Sequence, residues 1–239
     1  SEPGSKNNSK ESLNSVIPES YRQHPEFGKL KLEGSVESVE LIHKRTVNSR
    51  TFLNPDGSYT TTQASGRMHY KDASGNWLSI DLTPSANNRT AGEFGIFNSD
   101  KPITVNLRTG HTAMVLDGGN GVTISESSLH LANAKGDFVS TLEKSSSREG
   151  QSVANEAQFN NYWNGIDRIH VIEVDRLKTN YVLNSLPQGI PSNGFVVFTE
   201  TITVPAGWQV RKMLPGKEEN GMWFGELEVL NSSNTKVGV

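Results

Sequence analysis

TVNSRTFLNPDGSYTTT (residues 46–62) and HYKDASGNWLSID (residues 69–81) each set a reversal signal between runs of β-branched and aromatic residues. In Asn54-Pro55-Asp56-Gly57, proline presets φ and glycine supplies the positive φ a tight turn needs. Asp72-Ala73-Ser74-Gly75-Asn76 has the same chemistry without the proline. The two strings predict a β-meander, with Gly57 and Gly75 at φ > 0 and Trp77 packed over its hairpin against Tyr70 or Tyr59. Alternation from Trp77 onward puts Leu78, Ile80 and Leu82 on one face.

The same signals continue outward. Apolar runs at 103–107, 112–116, 122–124, 129–132 and 138–142 are separated by Gly-Asn, Asp-Gly-Gly and Lys-Gly-Asp turns, a spacing that favours a sandwich or barrel over βαβ units. Further runs follow at 153–159, 169–174, 178–183, 195–204, 208–213 and 223–230, with Asp175-Arg176 as a hairpin link. Between Ile169-His170-Val171 and Ile172-Glu173-Val174 the apolar phase slips by one, which predicts a buried strand that holds a bulge or serves a two-sided core. Residues 1–15 are small, polar or charged, too poor in apolar groups to offset their ordering entropy. From 15 to 27, Ile17, Tyr21 and Phe27 predict a strap or short helix between Pro18 and Pro25. Glu143 to Gln151, EKSSSREGQ, reads as a linker. The expected organisation is all-β: a polar N-terminal arm (1–28) and two tandem β-sandwich-like domains (29–145 and 146–239). No repeat of 20 to 50 residues is visible.

Composition removes several function classes. The 239 residues are 33% apolar and carry a net charge of -3, which gives no cationic field for a phosphate backbone, so nucleic acid is not an expected partner. Cysteine is absent, which excludes a disulfide framework, a thiolate metal site and a cysteine nucleophile. The apolar runs are far shorter than the roughly 20 residues a membrane-spanning helix needs, and no membrane insertion is expected.

No motif supplies catalysis. His111, His130 and His170 lack metal-binding spacing, and no metal or cofactor site is expected. Asp72–Trp77 misses the S-x-D-x-G-x-x-W box of sialidases by one residue on each side of its glycine, and Asn54–Ser58 lacks the remainder of a calcium loop. There is no G-x-S-x-G elbow. Glu173 and Asp175 alternate with apolar positions and would share one face, the arrangement of a glycosidase pair or of the solvent side of a strand. Tyr162, Trp163, Trp208, Trp223 and Phe224 are numerous for one end of a sandwich and offer rings for stacking on sugars, or for core packing. Three N-x-S/T sequons, beginning at Asn7, Asn88 and Asn231, read as chance matches.

The string from Thr46 to Asp81 resembles the N-terminal region of large bacterial surface and secreted proteins of the wall-associated and RHS/YD-repeat type, in which S-x-T-(F/Y)-x-N-P-D-G-(S/T)-Y precedes H-Y-K-D-x-x-G-x-W-x-x-I-D. Tyr162 to Asp167 and Lys178 to Leu183 are loosely similar to a signature of β domains in Bacteroidetes-type secreted multidomain proteins. The resemblance implies a secreted or cell-surface location and a non-catalytic structural or interaction module. Its partner would be the remainder of a longer polypeptide or a secretion or surface component. The repeats and effector domains of those proteins are not in this sequence, so neither adhesion nor toxicity carries over. A carbohydrate-binding module, with a glycan as ligand, is the alternative reading, and a hydrolase domain the third.

Overall fold

The computed structural model describes residues 16–35, 37–145, 149–219 and 222–238. The expected polar arm at 1–15, Val36 and the centre of the expected linker, 146–148, lie outside the described residues. The fold is all-β, as its turn spacing predicts, with antiparallel pairing throughout the described sheets. The helical elements described are one turn (α1, Glu19–Arg22) opened by Pro18 and a 3-10 turn at Ile42–Lys44.

The chain divides between Ile80 and Asp81 into two compact units, a different place from the expected boundary at 145/146. The polar stretch that suggested that boundary is tied down on both flanks. Ser145 N–H donates to the Tyr162 carbonyl (3.0 Å) and Gly150 N–H to the Leu107 carbonyl (2.6 Å). A run of serines reports exposure to water, which a surface loop inside one unit shares with a link between two.

Unit 1 holds β1 (Val39–Glu40), β2 (Ser49–Leu53), β3 (Tyr59–Gln63), β4 (His69–Lys71) and β5 (Trp77–Ser79). β1, β2 and β3 form one sheet, and β4 and β5 form a hairpin. Both turns are as the sequence predicts: Gly57 has φ +86 and Gly75 φ +82. Gly57 N–H donates to the Asn54 carbonyl, and the Asp72 carboxylate accepts the Ser74 and Asn76 N–H groups. Space around Gly57 is open, so Gly57→Val meets backbone strain alone; a loss of roughly 1–2 kcal/mol is expected from chemical denaturation. Ile17, Leu41 and Leu53 form a core that Tyr21, Phe27 and Val39 close, so the strap from 16 to 28 is part of this core.

Two expectations at the hairpin need correction. The register pairs Lys71 with Trp77 and Tyr70 with Leu78, so Trp77 shares a face with Lys71 and His69, and Tyr70 points to the other side. The indole meets His69 edge-on at 6.5 Å, and the Lys71 ammonium lies 4.9 Å from its ring centre. Leu82 does not join the face of Leu78 and Ile80: β5 ends at Ser79, and Leu82 is 55% exposed.

Unit 2 begins with β6 (Ser85–Ala86), β7 (Glu93–Ile96), β8 (Ile103–Asn106), β9 (Thr112–Asp117), β10 (Asn120–Ala132) and β11 (Phe138–Leu142). Next come β12 (Gln151–Val153), β13 (Glu156–Trp163), β14 (Ile166–Ile172), β15 (Leu177–Leu183) and β16 (Phe195–Thr203). The last are β17 (Gln209–Lys212), β18 (Lys217–Glu219), β19 (Met222–Phe224), β20 (Leu227–Leu230) and β21 (Lys236–Gly238). The long strand β10 organises the first sheet: β9 and β11 pair with successive stretches of one edge, and β16 runs along the other. β12 to β15 make a second sheet in sequence order, and β17, β20 and β21 a third. Rings join the layers. Phe198 of β16 stacks on Tyr181 of β15 (3.9 Å between centroids) and meets the edge of Trp163 of β13.

The phase slip in β14 resolves differently from either expected device. The strand stays regular against β15, and its buried side carries Ile166, Arg168, His170 and Ile172, with Ile169 and Val171 half-buried on the other. The irregularity falls on β13 instead, between Phe159 and Trp163, where Asn161 takes φ +52. Two polar side chains therefore enter the sandwich interior.

Candidate functional site

Arg168 lies at the centre of that interior. Its side chain is 1% exposed, and it reaches three segments of unit 2. Nη1 donates to the Gly110 carbonyl (3.1 Å), Nη2 donates to Glu200 Oε1 on β16 (2.7 Å), and the guanidinium lies 5.3 Å from the Tyr162 ring centre. Tyr181 of β15 donates to the same carboxylate oxygen (2.8 Å). Burial, and then the Glu200 charge, push the Tyr181 hydroxyl above its usual range, so it acts as a hydrogen-bond donor and not as a base. His170, two residues on, is fully buried, with Nδ1 against Thr179 Oγ1 (3.0 Å) and its ring edge-on to Phe159. Burial, followed by the Arg168 charge, lowers its pKa to about 3, which makes it a neutral imidazole at physiological pH. Arg168 Nε, His170 Nε2 and Trp163 Nε1 are buried without a hydrogen-bond partner. The centre is a charged pin between layers: each ionised group faces a fixed partner, and none is poised to exchange a proton with a substrate.

The five proposed stacking aromatics divide. Tyr162 and Trp163 are 2% and 1% exposed and pack edge-on to one another at 4.7 Å, so neither offers a face to a sugar. Tyr-Trp at the end of a strand carries no signal that separates surface stacking from core. Trp208 is half-buried against the core of Leu116, Val122 and Val229. Trp223 is half-buried, donates Nε1–H to the Glu226 carbonyl (3.0 Å), and has the Lys212 ammonium 5.7 Å from its ring centre. Phe224 lies on β19, and its side chain is outside the described residues. The structure does not gather the four described rings onto one open face.

The acid pair lies in a turn and not on a strand face. Glu173 and Asp175 sit in the β14–β15 turn, where Glu173 N–H donates to the Arg176 carbonyl and its carboxylate pairs with the Arg176 side chain. The turn at Asp175-Arg176 is the one the sequence predicts. Of the three histidines, His111 is exposed and His130 stacks on Phe138 (4.2 Å). Among the described residues no group of three or more His, Cys, Asp or Glu is arranged to hold a metal ion.

Unit 1 contains a second buried polar centre. Arg45 and Glu40 are each 1% exposed and joined by two hydrogen bonds, Nε to Oε1 (2.8 Å) and Nη2 to Oε2 (2.7 Å). Nη1 donates to Glu26 Oε2 (2.6 Å) and to the Trp77 carbonyl (3.0 Å). Ser79 donates its N–H and hydroxyl to Glu26. Burial works to raise the Glu26 pKa, but these donors outweigh it and hold the carboxyl below the usual range. Sequence reading missed this network, because its members come from the strap, a strand edge and a loop and share no local spacing.

The remaining feature is apolar. Where the first sheet of unit 2 meets β17 and β20, a groove of about 130 Å³ is lined by Leu116, Val122, Ile124, Ile202, Val210 and Val229 with their neighbours, and none of its lining side chains titrates. Ile202 and Val210, on β16 and β17, are both exposed.

No protein-family model, curated protein or solved structure matches this chain.

Proposed function

We propose that the chain is a non-catalytic structural or interaction module of a large secreted or cell-surface bacterial protein. The observation that carries this reading is the contrast between the two kinds of site. The buried charges are consumed in bonds between strands, whereas the groove of unit 2 is apolar, lacks ionisable groups and ends in exposed Ile202 and Val210 on strands at the edges of their sheets. Apolar surface of this kind is suited to contact with another polypeptide and unsuited to acid–base chemistry. The resemblance of residues 46–81 supports the bacterial surface or secreted setting.

The test introduces Ile202→Asp and Val210→Asp into the parent polypeptide. Surface presentation or assembly is expected to fall at least tenfold while the isolated variant keeps wild-type circular dichroism. Unchanged presentation would overturn the reading. So would saturable binding on a glycan array that Trp223→Ala abolishes, or turnover of a glycoside by the isolated chain.

A further inference from the structure

Histidine 69 occupies a position in unit 1 that admits one protonation state. It is fully buried, on β4, between the loop before β2 and β2 itself. Its Nδ1 lies 2.7 Å from the Thr46 carbonyl, which can only accept, so Nδ1 carries the proton. Its Nε2 lies 3.0 Å from Arg50 Nε, which can only donate, so Nε2 must be bare. The ring is thereby fixed as the neutral Nδ1–H tautomer. A second proton would point Nε2–H at Arg50 Nε–H.

We propose that His69 is an acid-sensitive fastener: its protonation releases the β4–β5 hairpin from β2. The charged surroundings leave the new charge without a free partner. Glu40 of β1 is already held by two of the three nitrogens of Arg45, with Arg50 at 3.8 Å. Glu26 of the strap is held by Arg45 and Ser79. Arg45 and Arg50 both repel an imidazolium, and Lys71, on the histidine's own strand, sits over Trp77. Burial, with these two guanidiniums, keeps the ring neutral below the ordinary histidine range, against the opposing pull of the Thr46 carbonyl and Glu40. Arg50 is the group able to yield, since its side chain is 19% exposed and its remaining hydrogen bond goes to the Ser79 hydroxyl (3.2 Å). Toward the loop before β2 the hairpin's other ties are the Met68 and His69 N–H groups, which share the single Val47 carbonyl, while β5 is held separately, by Arg45 at the Trp77 carbonyl and by Glu26 at Ser79.

The sign follows from linkage. With the folded pKa below the unfolded one, stability is complete above about pH 6.5, the ordinary value. Below it, the folding equilibrium constant of unit 1 falls by up to about tenfold per pH unit for this proton, until the folded ring titrates. Nitrogen-15 NMR of the wild-type chain at pH 8 is expected to show a protonated Nδ1 and a bare Nε2 on His69. Peptide-resolved hydrogen exchange in urea, at pH values between 8 and 5, is expected to show β4 and β5 losing protection more steeply in wild type than in His69→Gln. The glutamine keeps an uncharged acceptor for Arg50 and cannot gain the proton. A protonated Nε2 at pH 8, which needs no variant to detect, would overturn the proposal. Parallel pH profiles for wild type and His69→Gln would do so too.

Discussion

Arg45→Ala is expected to destabilise unit 1 by roughly 3–5 kcal/mol, the range for removing one partner of a buried ion pair. The loss is large because of what remains. Glu40 is 1% exposed, and without Arg45 its carboxylate faces only Arg50, at 3.8 Å and outside hydrogen-bond reach. Glu26 suffers less, since it is 22% exposed and keeps its Ser79 donors. Against the 5–15 kcal/mol that holds a typical domain, the change removes a large share of unit 1's stability. Arg45→Lys should recover only part of it, because a point-like ammonium cannot reproduce the two-pronged contact to Glu40 while also reaching Glu26 and the Trp77 carbonyl. Glu40→Leu combined with Arg45→Met should recover more, by removing both charges and filling the space with apolar atoms. Urea unfolding read by hydrogen exchange in residues 39–79 ranks the four proteins. If Arg45→Ala matched wild type, the network would be ornamental and the strap would owe its position to Ile17, Tyr21 and Phe27 and to the Glu26–Ser79 bonds.

What the sequence disclosed, and what it withheld, follows from the range of the interactions. Asn54–Ser58 and Asp72–Asn76 were legible because a turn is decided by residues that touch along the chain: Pro55 fixes φ, the Asp72 side chain caps its own loop, and Gly57 and Gly75 accept positive φ. The all-β class follows from repeating that local signal. The division at Ile80 was illegible, because it depends on β16 returning to β10 across about 70 residues, and pairing at that distance leaves no mark on composition. Tyr162 and Trp163 show a different failure. An aromatic pair beside Asn-Gly suits an exposed hairpin end as well as a core, and only the bulge after Phe159 turns both rings inward. The slip at Ile169–Ile172 did carry usable information. If β14 is a strand with one buried face, one of its two phases must bury Arg168 and His170, and that phase alone leaves Ile166 and Ile172 inside.

Burial of His170 is expected to make unit 2 strongly sensitive to acid. Folded, the imidazole is neutral down to about pH 3; unfolded, it titrates near the ordinary histidine value of 6.5. Between these limits the unfolded chain binds a proton that the folded chain refuses, so the stability is complete above pH 6.5 and declines as the pH falls toward 3. The decline is about 1.4 kcal/mol per pH unit, and on the order of 4–5 kcal/mol over the whole interval. Two features of the site explain the refusal: the ring is buried edge-on to Phe159, and Arg168, two residues away on the same face, already supplies a positive charge; together they outweigh the Gly110 backbone, which favours the added proton. Carboxylates add acid sensitivity of their own, since hydrogen bonds from Arg211 and Lys236 hold Glu228 below its usual range, but that contribution belongs near and below the ordinary glutamate value. The span from pH 6.5 to 5 therefore reports the histidines, and because His130, its pKa also lowered by burial, is unchanged in the variant, the comparison with wild type separates His170 from it. His170→Gln leaves an uncharged group against Thr179 and should lower stability at pH 8 while flattening the profile across that span. Urea midpoints for β13 to β16 that fall in parallel for the variant and the wild type would show that His170 takes up its proton without loss of the fold, and that water reaches the centre of the sandwich.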